Sequence, residues 1–180
     1  RNMLGNILTM QSYELLIDSN HIENTNYGIY LQRNTGRGTD KNIQNNTIKD
    51  CKDGIYINGN NNNVYKVNVK QNNILGGYYP ITVFNSRRAN ITENNIVFNY
   101  SSIPSGITPI GISGGNSPYI NITDNTIDYV SSYYWKPMGI YLDLCPTAFV
   151  DCNKTYNQYD GIVCVGNMPN TTLSRNLMHS

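Results

Sequence analysis

Asn42-Ile43-Gln44-Asn45-Asn46-Thr47-Ile48, followed five residues on by Asp53-Gly54-Ile55-Tyr56-Ile57, holds one full period of a repeat. Asn-x-Ile returns at Asn20-His21-Ile22, Asn72-Asn73-Ile74, Asn94-Asn95-Ile96 and Asn125-Thr126-Ile127, with degenerate copies at Asn153-Lys154-Thr155 and Asn176-Leu177-Met178. The spacings are 26, 26, 22, 31, 28 and 23 residues. Three residues before each Asn stands Ile17, Ile43, Val69, Ile91, Ile122, Val150 or Leu173, aliphatic every time. Nine residues after it comes Ile29, Ile55, Ile81 or Ile162; insertions delay the same residue to Ile112 and Ile140. Gly28, Gly54, Gly111, Gly139 or Gly161 precedes this Ile, with Pro80 as the exception. Two residues beyond it lies Leu31, Ile57, Val83, Leu142 or Cys164, with Gly114 in the fourth copy. A period of 20–50 residues marks a solenoid or array.

Within each copy the pattern is that of strands. Ile29-Tyr30-Leu31, Ile55-Tyr56-Ile57 and Ile140-Tyr141-Leu142 alternate apolar, tyrosine, apolar, and Val67-Asn68-Val69 and Ile120-Asn121-Ile122 alternate likewise. This period of two puts the aliphatic members on a core face. No stretch keeps a helical period. Each copy reads as three short strands with bends between them. Asn20, Asn46, Asn72, Asn94, Asn125 and Asn153 are expected to take the tight bend, because Asn tolerates a left-handed backbone. Stacked copies would set amide above amide in a ladder.

The frame aliphatic-x-x-Asn-x-Ile, then Gly-Ile-x-aliphatic, resembles the right-handed parallel β-helix of the pectin-lyase-like superfamily over about residues 13–178. The resemblance implies an all-β, single-stranded solenoid of six to seven coils of 22–31 residues. Ile43-type residues would lie on its second sheet, Asn46 in the short turn, Ile48 on its third sheet and Ile55-Tyr56-Ile57 on its first. At about 4.8 Å per coil the axis would run roughly 29 Å. The fold alone assigns no function, since it hosts lyases, hydrolases, epimerases, tailspikes, adhesins and stalks.

Composition narrows the classes. Thirteen Lys+Arg against 12 Asp+Glu leave a net charge of +1, which argues against binding driven by nucleic-acid phosphates. No apolar run approaches a membrane span. Asn supplies 30 of the 180 residues, a share hostile to helical bundles, while the 39% hydrophobic content still suffices for a core. One domain, residues 1–180, is the natural count. Neither end shows a cap, so a fragment of a longer chain, or a unit stacking end to end on identical subunits, is expected. Cys51 belongs to the second coil, at least about 14 Å from the other three cysteines, too far for a bridge. Cys145 and Cys152 flank a turn and are the favoured pair; Cys164 falls at an inward position as a small apolar group. Four reduced thiols is the competing reading. The two histidines, His21 and His179, lie far apart and no CxxC occurs, so neither a metal site nor a cofactor is expected.

Six Asn-x-Ser/Thr sequons occur, at Asn45, Asn90, Asn99, Asn121, Asn153 and Asn170. Asn-rich composition alone produces about four. Glycosylation is expected chiefly at Asn90, Asn99 and Asn121, then Asn45 and Asn170; Asn153 is a ladder residue. Insertions near Asn99–Pro109 and Tyr129–Pro137 feed the Gly-Ile strand of the fourth and fifth copies, the second carrying Tyr133, Tyr134 and Trp135. With outward Tyr30, Tyr56 and Tyr141 these aromatics are candidates for carbohydrate binding, because ring faces suit sugar C–H faces and hydroxyls suit their rims. The competing reading is that Tyr simply suits an exposed strand. Catalysis is disfavoured: glycoside hydrolysis needs two flanking carboxylates, and Asp143 stands alone on the relevant face. Asp53 and Asp160 read as turn residues before glycine. The expectation is a non-catalytic structural or adhesive module of an extracellular or surface glycoprotein, with fibre formation and glycan partners in view. The alternatives are a polysaccharide-active enzyme (lyase, glycoside hydrolase or epimerase) and a viral tailspike segment.

Overall fold

The computed structural model describes residues 2–3, 7–10, 14–32, 39–59, 66–99, 104–130 and 137–179. Among them are 22 strands and no helix, in three parallel sheets. Sheet A has eight strands, including Thr47–Lys49 and Asn73–Leu75; sheet B has seven, including Asp53–Asn58 and Tyr79–Phe84; sheet C has seven, including Lys41–Gln44 and Val67–Lys70. The chain visits C, A and B in turn. Each strand pairs with its counterparts one coil before and one coil after, which makes a right-handed β-helix.

The repeat frame is the register. Ile22, Ile48, Ile74, Ile96 and Ile127 form one inward column on sheet A, each at most 1% exposed. Ile29, Ile55, Ile81, Ile112 and Ile140 form another on sheet B. Burying each such side chain contributes roughly 1.5–3 kcal/mol. The two insertions leave this register untouched, and Gly114 pairs with Val83 and Leu142 in frame. Its missing side chain is replaced by neighbours: Leu142 Cδ2, Ile120 Cδ1 and Cys145 Sγ approach within 2.7, 3.0 and 3.5 Å of where a Cβ would stand. A part coil precedes the first Asn-x-Ile copy, since Asn2–Met3 and Ile7–Met10 pair with His21–Ile22 and Ile29–Gln32. Lys41 takes an inward position between Leu15 and Val67, and burial pulls its ammonium below the usual lysine range.

The repeating Asn forms the expected ladder. Asn46 Nδ2 donates to Asn72 Oδ1 at 2.9 Å, Asn72 to Asn94 at 3.0 Å, Asn94 to Asn125 at 2.9 Å, and Asn125 to Asn153 at 2.9 Å. The same Oδ1 atoms also accept the backbone N–H of the Asn one coil earlier, at 3.0–3.1 Å. Each Nδ2 reaches back to the aliphatic carbonyl of the preceding coil, as from Asn72 to Ile43 O at 3.1 Å. Asn20 begins the ladder and Asn176 extends it.

The ladder Asn does not make the left-handed bend. That falls on the residue before it: Ser19, Asn45, Gln71, Glu93, Asp124, Cys152 and Arg175, with φ between 48° and 57°. Seven residue types share this conformation, so backbone tolerance is not what the repeated Asn encodes. What repeats from coil to coil is the buried amide. The other corners repeat the device with smaller groups: the Ser86 and Ser117 hydroxyls donate to carbonyls two residues back, and Ser86 N–H donates to Ser117 Oγ at 3.2 Å. The repeated Gly answers to crowding between coils, since a Cβ on Gly28 would lie 2.6 Å from Gly54 O and one on Gly54 would strike Pro80 O.

Adjacent substitutions separate the two roles. Asn72→Leu strands the Asn46 N–H and Nδ2 donors and should cost roughly 2–5 kcal/mol. Gln71→Gly relieves a left-handed side chain and should lie between no change and about 1 kcal/mol of stabilisation. Denaturant midpoints with unchanged slopes measure both. Equal destabilisation by the two would contradict the assignment.

Candidate functional site

Parallel, in-register stacking places like positions of successive coils about 4.8 Å apart, so side chains on the outer faces also form rows. Tyr30 and Tyr56 are paired residues of sheet B. Their rings stack with centroids 5.1 Å apart and planes 2° from parallel. Tyr27 lies beside the pair, 5.0 Å from Tyr30 and 5.8 Å from Tyr56, at 72° to each. Phe84 closes the cluster at 6.4 Å and 49° from Tyr56. Burial, then the neighbouring Tyr30 and Tyr27, pushes the Tyr56 phenol above the usual tyrosine range.

This geometry bears on the expectation that Tyr30 and Tyr56 bind carbohydrate through their ring faces. One face of Tyr30 and one face of Tyr56 are used on each other. The other face and the hydroxyl rim of each ring are left outside this stack. Tyr141 is not part of the cluster, because Thr82 and Ser113 occupy the two intervening coils of its row. Tyr129, placed in the second insertion by the repeat, instead ends a sheet A strand and is buried beside Phe98. Tyr133, Tyr134 and Trp135 lie outside the described residues. Tyr27 and Phe84 escaped the sequence reading. Tyr27 was visible as the residue before Gly28, in frame with Asp53 and Tyr79, but that frame position carries no repeated residue type.

The acidic groups stay apart. Asp53 and Asp160 do not make turns; each begins a sheet B strand, four coils from the other. Burial holds the Asp53 carboxyl above the usual range, with Lys52 opposing. Asp143 pairs in register with Gly115 and Val165 and has no carboxylate opposite. Among the described residues no group of three or more His, Cys, Asp or Glu is placed to hold a metal. None of them forms a helix long and apolar enough to cross a membrane.

The cysteine and sequon positions sort by corner. Cys145 is buried with its thiol directed to Asp143 O, whereas Cys152 sits at the left-handed position of the next corner, so the expected Cys145–Cys152 bridge is absent and both thiols are free. Cys51 is buried against Thr25, and Cys164 holds the expected inward position, in register with buried Leu142, but is exposed in the last strand of sheet B. Asn90 faces outward, its amide donating to Asn68 Oδ1 at 3.0 Å. Asn121 has a buried Oδ1 without a partner. Asn45, Asn99 and Asn170 are exposed, Asn45 and Asn170 in left-handed backbone. Asn153 is a fully buried rung.

The family model described as "Right handed beta helix region" matches residues 2–97, just over half of the chain. The chain belongs to this right-handed β-helix family. Neither a curated protein nor a solved structure matches it. The family fixes the scaffold of this β-helix and leaves the chemistry to its side chains.

An ion pair held by two guanidinium donors lies away from the tyrosines. Arg175 Nε donates to Asp151 Oδ1 at 3.0 Å, its Nη2 donates to Asp151 Oδ2, and Ser174 Oγ donates at 2.8 Å. These donors hold the Asp151 carboxyl at about 2, below the ordinary 3.8. A carboxyl lowered in the folded state stabilises above its unfolded value and loses that contribution as pH falls toward the folded one. Arg175→Ala should therefore lower the thermal midpoint at neutral pH, and the gap to the unsubstituted protein should shrink between pH 3.8 and about 2. A gap independent of pH would contradict the ion-pair assignment.

Proposed function

We propose that this β-helix is a non-catalytic structural and adhesive module of an extracellular or cell-surface protein that contacts glycans through the outer face of sheet B. The observation that carries the proposal is the four-aromatic cluster of Tyr27, Tyr30, Tyr56 and Phe84 on one outer face. Aromatic side chains offer apolar contact at low conformational cost, and tyrosine hydroxyls add hydrogen bonds at the rim. The Tyr30–Tyr56 stack makes that surface rigid, so little ordering is needed on binding. The dispersed carboxylates of this face favour binding over turnover, since glycosidic cleavage calls for two acids flanking one bond. The exposed sequon residues Asn45 and Asn170 fit a secreted setting.

Titration calorimetry with neutral and acidic oligosaccharides tests the proposal. Saturable binding is expected, with no release of reducing or unsaturated ends over long incubation. Tyr56→Ala should weaken binding about tenfold, equivalent to about 1.4 kcal/mol, with a thermal melt confirming the fold. Turnover that disappears in Asp143→Ala would overturn the non-catalytic reading, and absence of binding across the panel would overturn the adhesive one.

A further inference from the structure

One outward row of sheet B runs Leu8, Tyr30, Tyr56, Thr82 and Ser113 across successive coils. Two tyrosines are therefore adjacent, and no third stands next in line on either side. Their strands are parallel and in register, and their ring planes lie 2° from parallel with centroids 5.1 Å apart. Rings related by so plain a translation set each carbon opposite its counterpart, at about the coil rise of 4.8 Å. The carbons ortho to the two hydroxyls are among them. Two more rings hold the stack in place. Tyr27 stands at 72° to both, and Phe84 flanks Tyr56 at 6.4 Å. Phe84 is itself laid over Gly115, the bare position one coil further on. Tyr30 and Tyr56 are both partly exposed, which leaves them open to an oxidant from solution.

We propose that Tyr30 and Tyr56 form a site of oxidative modification, at which a haem peroxidase and hydrogen peroxide join the two phenols into a dityrosine bridge between successive coils. Glycan binding is not required for it. Each phenol gives up one electron and one proton to the peroxidase. The two phenoxyl radicals then join through their ortho carbons. The hydrogens on those carbons move to the oxygens as the rings regain aromaticity. The pair has lost two hydrogens in all, and one hydrogen peroxide has become two waters. Burial holds the Tyr56 phenol above the usual tyrosine range, so at neutral pH its proton leaves with the electron. Phe84 has no hydroxyl and yields no phenoxyl radical. Tyr27, tilted against both rings, lacks the matched face-to-face approach. The bridge would close a loop of 26 residues and limit the unfolded chain as a disulfide does. All four cysteines are free, so no disulfide supplies such a tie.

The test treats the dilute, full chain with horseradish peroxidase and hydrogen peroxide, beside a parallel sample of free tyrosine that shows the oxidant to be active. Dityrosine fluorescence should appear in the band of a single chain on a denaturing gel. Trypsin should release residues 2–33 joined to residues 53–66, two hydrogens lighter than the sum of the two peptides. Tyr13, Tyr27 and Tyr65 share these peptides, so fragment spectra must place the bond at Tyr30 and Tyr56. The bridged chain should unfold at a higher denaturant midpoint than the untreated one. Tyr30→Phe and Tyr56→Phe should each abolish the bridge, Tyr27→Phe should retain it, and thermal melts confirm that all three fold. A single-chain bridge that survives Tyr30→Phe would overturn the proposal. So would dityrosine confined to bands of two or more chains, or none at all where free tyrosine is coupled.

Discussion

A buried amide that bonds to its own kind one coil away is the interaction on which this structure depends. An Asn side chain inside a protein is costly unless its oxygen and both its hydrogens find partners. Here the partners are supplied by repetition. Each Oδ1 accepts two donors from the preceding rung, while each Nδ2 donates to the next rung and to carbonyls nearby. A rung out of step would leave several groups unpaired at once. Apolar columns supply most of the burial, but aliphatic side chains tolerate sliding more readily than a hydrogen-bond ladder does. The ladder therefore specifies register, and the columns of Ile, Val and Leu make that register stable.

Everything on the outside inherits this order. Because equivalent residues fall in line, Asn68 and Asn90 continue an outer amide row from Asn42, and Tyr30 and Tyr56 stack face to face. The regularity also explains where variety is tolerated. Two insertions leave the sheets in register, and both emerge from the corner between sheets A and B. The glycine pair of the third coil thins this same corner. Variation thus accumulates at one corner and on the face it feeds, while the ladder corner between sheets C and A stays short.

Much of the scaffold was legible in the residues. The Asn-x-Ile frame and its aliphatic offsets gave the coils and the inward columns. Other parts were not legible. The left-handed bend could not be placed, because Ser19, Gln71, Glu93 and Arg175 share no chemistry; only their backbone is alike. The leading part coil lacks an Asn-x-Ile of its own, so Ile7–Met10 carried no frame. In the site, Tyr30 and Tyr56 were identified as outward neighbours, but the consequence of their stacking, a face of each ring consumed, needed the geometry. Tyr27 and the Gly76–Gly77 corner depend on what adjoins them across coils, which a single copy of the repeat does not display. The Cys145–Cys152 expectation failed for a related reason: nearness in sequence across one strand is not nearness at one corner.

Side-chain amide hydrogen exchange, followed by NMR at assigned Asn Nδ2 groups, tests the central claim most directly. If the interior ladder holds the coils together, the Nδ2 protons of Asn46, Asn72, Asn94, Asn125 and Asn153 exchange only with cooperative opening of the β-helix. They should then be far slower than those of exposed Asn24 and Asn99. Ladder amides exchanging as fast as these exposed ones under native conditions would contradict it.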